Sequence, residues 1–141
     1  MTIWKHPVEL AQLNARNDGT MSDYIGIRFI EIGTDYIVAT MPADHRTLQP
    51  AGIIHGGANV TLAETVASVG ANLVIDQTQY RAVGQEINAN HIRPVAEGTV
   101  TATARPLHLG KTSQVWEIKI VNADGKLTCI SRMTAAIIAK I

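Results

Sequence analysis

Residues 49–75, QPAGIIHGGANVTLAETVASVGANLVI, set a polar pair and a glycine turn before a long apolar segment that carries one carboxylate. From Ala58 to Ile75 the side chains are small or aliphatic with few exceptions, which predicts a helix buried on nearly all sides rather than an amphipathic surface helix. Glu64 stands inside that run. An ionised carboxylate in such surroundings is costly unless it is paired. Either neighbours such as Thr65, Ser68 or Asn72 hydrogen-bond it as a structural group, or the site uses it for chemistry.

The start of the helix carries a second signal. Gly56 and Gly57 have no side chain to keep another molecule from the backbone, and the first turn of a helix leaves about four N–H groups without internal partners. Those donors and the positive end of the helix dipole suit an anion or a polarised carbonyl oxygen, as in the oxyanion hole of acyl transfer. Gln49 and His55 lie just upstream, where they could position an acyl group; for His55 the plainer alternative is a loop or capping histidine. At about 1.5 Å per residue, Gly56 and Glu64 stand about 12 Å apart along one helix and cannot grip the same carbonyl. If both serve one reaction, Gly56 of one chain faces Glu64 of another across a twofold axis.

Outward from this helix the pattern becomes extended. Residues 8–16 read as a short helix, Met21–Tyr24 as a helical turn, and 25–32 and 36–42 as strands joined at Gly33-Thr34-Asp35 and closed by Pro42. After the helix, segments at about 80–92, 98–107, 112–121 and 126–139 read as four more strands. In the third, Trp116, Ile118 and Ile120 alternate with Glu117 and Lys119, the sign of a sheet with one covered face. The order predicts an α+β fold in which one antiparallel sheet wraps around a central helix. With no repeat, linker or low-complexity tract, residues 1–141 are expected to form one domain. A second layer is needed to cover so apolar a helix, and dimerisation would supply it.

The bulk properties narrow the partners. The 12 basic and 12 acidic residues balance, and no basic stripe occurs, so nucleic acid is not an expected partner. No stretch reaches the roughly 18 uninterrupted apolar residues of a membrane span, and a soluble, cytoplasmic protein is expected. The single Cys129 excludes an internal disulfide and, alternating with Leu127 and Met133, reads as core. His6, His45 and His108 show no ligand spacing with one another or with Cys129, so no metal is expected, and no Gly-x-Ser-x-Gly elbow occurs.

The chain resembles the hotdog-fold acyl-CoA thioesterases of the phenylacetate-degradation and 4-hydroxybenzoyl-CoA type, above all the bacterial 1,4-dihydroxy-2-naphthoyl-CoA thioesterases of menaquinone biosynthesis. The resemblance runs nearly end to end, through Ile3-Trp4-Lys5, Ala39-Thr40-Met41-Pro42, Arg46-Thr47, Gln49-Pro50, His55-Gly56-Gly57, Leu62-Ala63-Glu64, Glu86–His91, Pro106–Gly110 and Gln114-Val115-Trp116. It implies hydrolysis of an acyl-CoA, with coenzyme A as part of the substrate and no separate cofactor, by a homodimer or a homotetramer built as a dimer of dimers. By the same resemblance, Glu64 is the carboxylate that attacks the thioester or activates water, and the Gly56 N–H polarises the carbonyl. Gln49 and His55 flank it, and Ser68, one turn after Glu64, contacts the acyl group or water.

His91, Arg93, Gly110, Lys111 and Thr112 match places that bind the nucleotide end of CoA, and Val83 and Gly84 lie where a strand could run beside the pantetheine arm. Ala51 stands where a bulky aromatic is expected and Lys111-Thr112 where relatives carry Ser-Arg; the first reshapes the acyl pocket, and the second replaces a forked guanidinium by a point charge. The alternative reading is a non-catalytic module that binds acyl-CoA or acyl-carrier protein. Glu64 argues against it, since pure binding gains nothing from a buried carboxylate. A dehydratase on this fold would need a His and Asp pairing that the helix lacks.

Overall fold

The computed structural model describes residues 1–141. Two short helices, α1 (Leu10–Arg16) and α2 (Met21–Tyr24), precede the hairpin of β1 (Arg28–Ile32) and β2 (Ile37–Pro42). Helix α3 (Gly56–Leu73) follows, then β3 (Tyr80–His91), β4 (Thr99–Leu109), β5 (Ser113–Val121) and β6 (Leu127–Ala139). The strands form one antiparallel sheet in the order β1-β2-β4-β5-β6-β3, curled around α3. This is the α+β arrangement expected from the alternation in β5, where Trp116, Ile118 and Ile120 all face the core. Cys129 lies fully buried among them.

The boundaries of three elements differ from expectation for local reasons. Gly26, at φ 82°, turns the chain after α2, so Ile25 and Ile27 are core residues outside β1. His55 caps α3, which moves its start from Ala58 to Gly56, and its end falls at Leu73 rather than Ile75. A bulge between Pro106 and His108 carries β4 on to Leu109.

The helix is pinned to the sheet by polar as well as apolar contacts. The Trp116 indole N–H donates to Gln114 Oε1 (2.8 Å), and the Gln114 amide donates to the Ala71 carbonyl (3.2 Å), so a fully buried polar pair is satisfied against α3. Trp4 stacks on Trp116 with ring centres 6.4 Å apart and donates its own N–H to the Gly33 carbonyl.

The expectation of a helix buried on nearly all sides needs correction. Leu62, Ala63, Val66, Ala67, Gly70 and Ala71 face the sheet and are buried, but Val60, Thr61, Glu64, Thr65, Ser68 and Val69 are only half-buried. One sheet covers one side of a helix. The open side borders β3, an edge strand paired only with β6 and exposed at most of its 12 positions. No helix in the chain is long and apolar enough to cross a membrane.

Candidate active site

The loop from Ala43 to Ile54 delivers the chain to the start of α3. Arg46 makes a forked contact to Asp44 (Nη2 to Oδ2, 2.7 Å; Nε to Oδ1, 3.1 Å) and donates from Nη1 to the Tyr24 carbonyl, tying this loop to α2. The guanidinium holds the Asp44 carboxyl well below its usual range, at about 2. The buried Thr47 hydroxyl donates to the Pro42 carbonyl.

His55 then caps α3 in extended geometry (φ −62°, ψ 134°), its Nδ1 accepting the Gly57 N–H at 2.8 Å. This is the capping role, and it has a chemical consequence. With Nδ1 occupied as an acceptor, the proton of the neutral ring resides on Nε2, leaving one donor directed away from the helix. The Gly56 N–H has no acceptor in the chain. Gln49 turns back on its own loop, its Oε1 accepting the Ala51 N–H at 2.5 Å while its side-chain amide remains a free donor.

Glu64 lies two turns further along α3, half-buried, and its carboxylate has no hydrogen-bond or salt-bridge partner. The residues able to make it a structural group are engaged elsewhere. Thr65 donates to the Thr61 carbonyl (2.6 Å), and the Ser68 hydroxyl faces Met133 Sδ (3.6 Å). Asn72 donates to the Ser68 and Ala82 carbonyls and accepts the Ala82 N–H at 2.9 Å. What lies against the Glu64 carboxylate is Gly84 of β3: a methyl placed on Gly84 would stand 2.5 Å from Glu64 Oε1. Gly56 and Glu64 belong to one continuous helix, so the separation of about 12 Å holds.

At the other end of β3, His91 packs against the first turn of α3. A methyl on Gly56 would lie 2.8 Å from His91 Nε2, and Asn59 Nδ2 lies 3.3 Å from His91 Nδ1. Asn59 is 7% exposed, and its Oδ1 has no partner. These two residues and Arg93 line a cavity of about 310 Å³ with Ile53, Ile92 and Val95. Arg93 donates from Nη1 to the Leu127 carbonyl. Asn59 was not singled out in the sequence, being one of several polar residues in α3, and its burial depends on its packing against His91.

The residues matched to CoA binding do not gather in one chain. Gly110, Lys111 and Thr112 form the β4–β5 turn, where Thr112 accepts the Ile137 N–H, beside the end of the sheet at which Val83 pairs with Ala136. His91 and Arg93 lie at the opposite end, where His91 pairs with Cys129. Val83 is 39% exposed on the edge strand.

A sheet wrapped around a helix, with backbone donors at the helix start and a carboxylate in its open face, is an arrangement suited to acyl transfer. The model of the thioesterase superfamily matches residues 51–129, which include α3, β3, β4, β5 and the start of β6, and the chain belongs to that superfamily, with the hotdog fold. It is a thioester hydrolase of this class. The chain is 49% identical to the 1,4-dihydroxy-2-naphthoyl-CoA hydrolase of Escherichia coli over 96% of its own length and 99% of that protein. It is 46% identical to the proofreading thioesterase of Cronobacter sakazakii, covering 96% and 98% of the two chains. The crystal structure of a mutant thioesterase from Pseudomonas aeruginosa superposes with a TM-score of 0.97 at 44% identity, over 99% of this chain and all of that one.

Proposed function

We propose that the chain hydrolyses an aromatic acyl-CoA to the free acid and CoA, with 1,4-dihydroxy-2-naphthoyl-CoA the first candidate and benzoyl-like thioesters next. The observation that carries the reading is the unpartnered Glu64 carboxylate on the open face of α3. A structural carboxylate would be tied to its neighbours; this one is left available to an incoming group. The relative from Escherichia coli supports the choice of acyl group. In the proposed reaction the thioester carbonyl rests on the Gly56 N–H, with the Gln49 amide and His55 Nε2–H beside it. Glu64 of the partner chain attacks the carbonyl carbon or takes a proton from water, and the thiolate of CoA leaves. Ser68 lies on the Glu64 face, where it can touch the acyl group or water.

The edge strand supports a shared site. Antiparallel pairing of β3 with its copy, about a twofold between Ile87 and Asn88, sets Gly84 of one protomer opposite His91 of the other. Because Gly84 lies against Glu64 and His91 against Gly56, that register brings Glu64 of one chain to Gly56 of the second. It also brings Val83 and the Gly110-Lys111-Thr112 turn toward His91 and Arg93 across the axis, assembling from two chains the cationic groups that one chain keeps apart.

The test is thiol release from dihydroxynaphthoyl-, benzoyl-, phenylacetyl- and hexanoyl-CoA, by wild type and Glu64→Ala together. Turnover of the aromatic thioesters that falls at least ~100-fold in the variant is expected; saturable binding without turnover in the wild type would favour the binding module. Oxygen-18 entering Glu64 in a single turnover, or a trapped acyl-Glu64 anhydride, would mark it as nucleophile.

A further inference from the structure

We infer that Gly84 is a positioning residue whose missing side chain provides the space occupied by the Glu64 carboxylate, an inference that rests on Glu64 being the reacting group. The carboxylate is held by no hydrogen bond, so only packing sets where its oxygens lie. Gly84 is the wall. Its ideal methyl would fall 2.5 Å from Glu64 Oε1 and 3.5 Å from Cδ, closer than heavy atoms sustain at the oxygen.

The strand cannot retreat to relieve such a contact. Two residues before Gly84, Ala82 is clamped through both its N–H and its carbonyl by the Asn72 side chain of α3. Gly84 itself pairs with Ala135 of β6, and the bulge that follows places Gln85 as an extra residue before Glu86 pairs with Thr134. Gly84 has no positive φ, so alanine can adopt its backbone conformation. The atom that must yield is therefore the end of a flexible side chain, and a methyl at this position moves the carboxylate while sparing the fold.

The experiment compares wild type with Gly84→Ala, Glu64→Ala, Glu64→Asp and the two double variants that combine Gly84→Ala with each Glu64 change, reading kcat, KM and Tm. Gly84→Ala is expected to lose ~10–100-fold in kcat, the cost of misplacing a reacting group by about an ångström, with KM and Tm close to wild type. Glu64→Asp withdraws the carboxylate by one methylene, so adding Gly84→Ala to it should cost much less than adding it to the wild type. If Gly84→Ala lowers Tm, Glu64→Ala should restore it, because the collision is with that side chain. Unchanged kcat in Gly84→Ala beside a dead Glu64→Ala overturns the inference alone. A rise in KM at constant kcat overturns it too, making Gly84 a substrate contact, and so does a lowered Tm that Glu64→Ala leaves unrestored. Wild-type turnover by Glu64→Ala overturns the underlying reading instead.

Discussion

At the scale of single residues, the start of α3 offers a way to remove one backbone donor. Gly56 is the first helical residue, a position where proline is well tolerated, and His55 already has the extended backbone that a following proline requires. Gly56→Pro should keep wild-type helix content, since the N–H it deletes has no partner in the chain and its new Cβ meets only the tip of the His91 ring, which must swing aside, yet lose ~10²–10³ in kcat as an oxyanion donor would. Circular dichroism with steady-state kinetics checks both halves. Cys129 behaves oppositely. Its burial pushes the thiol up to about 11, against about 8.5 for a free cysteine. The folded pKa is raised, so this contribution to stability is complete below about pH 8.5 and is lost as pH rises toward 11. The thiol should resist a disulfide reagent at pH 8 and react fully once guanidinium unfolds the chain. Glu64 and Cys129 were both visible in the sequence, but their environments were not equally so. Cys129 sits in a strand whose alternation announces burial, whereas the setting of Glu64 depends on Gly84, brought to it by a long-range strand register that no local pattern encodes.

At the scale of elements, the loop before α3 is held by one ion pair. Asp44 has its carboxyl depressed to about 2, first by the side-chain hydrogen bond from Arg46. The folded pKa lies below its usual value of 3.8, so its contribution is complete above about pH 4 and is lost as pH falls toward 2. Asp44→Asn should lower Tm at neutral pH and flatten the fall in Tm between pH 4 and 2; scanning calorimetry at several pH values reads both, and identical acid limbs would contradict the assignment. The six strands and α3 were legible because alternation in β5 and a long run of mostly small and aliphatic residues in α3 are strong local signals. The start of β1 was not, since Ile25 and Ile27 are apolar and buried in any case, and only the turn at Gly26 keeps them out of the strand. Burial of α3 was overestimated because composition reports that a surface is covered without saying by which chain.

At the scale of the whole molecule, the half-buried face of α3 and the exposed edge of β3 lie side by side, and covering both with a second copy is the economical solution. Sedimentation should give a dimer or a dimer of dimers and no stable monomer. The central claim is that Glu64 and Gly56 act on the same thioester from different chains, and subunit mixing tests it most directly. Glu64→Ala and Gly56→Pro, each inactive alone, are unfolded together, refolded as a mixture and assayed. In a mixed dimer one site pairs an intact Glu64 with an intact Gly56, so random assortment predicts recovery of about a quarter of wild-type activity per site. A mixture that stays as inactive as its two components, with heterodimers shown to be present, would contradict the shared site.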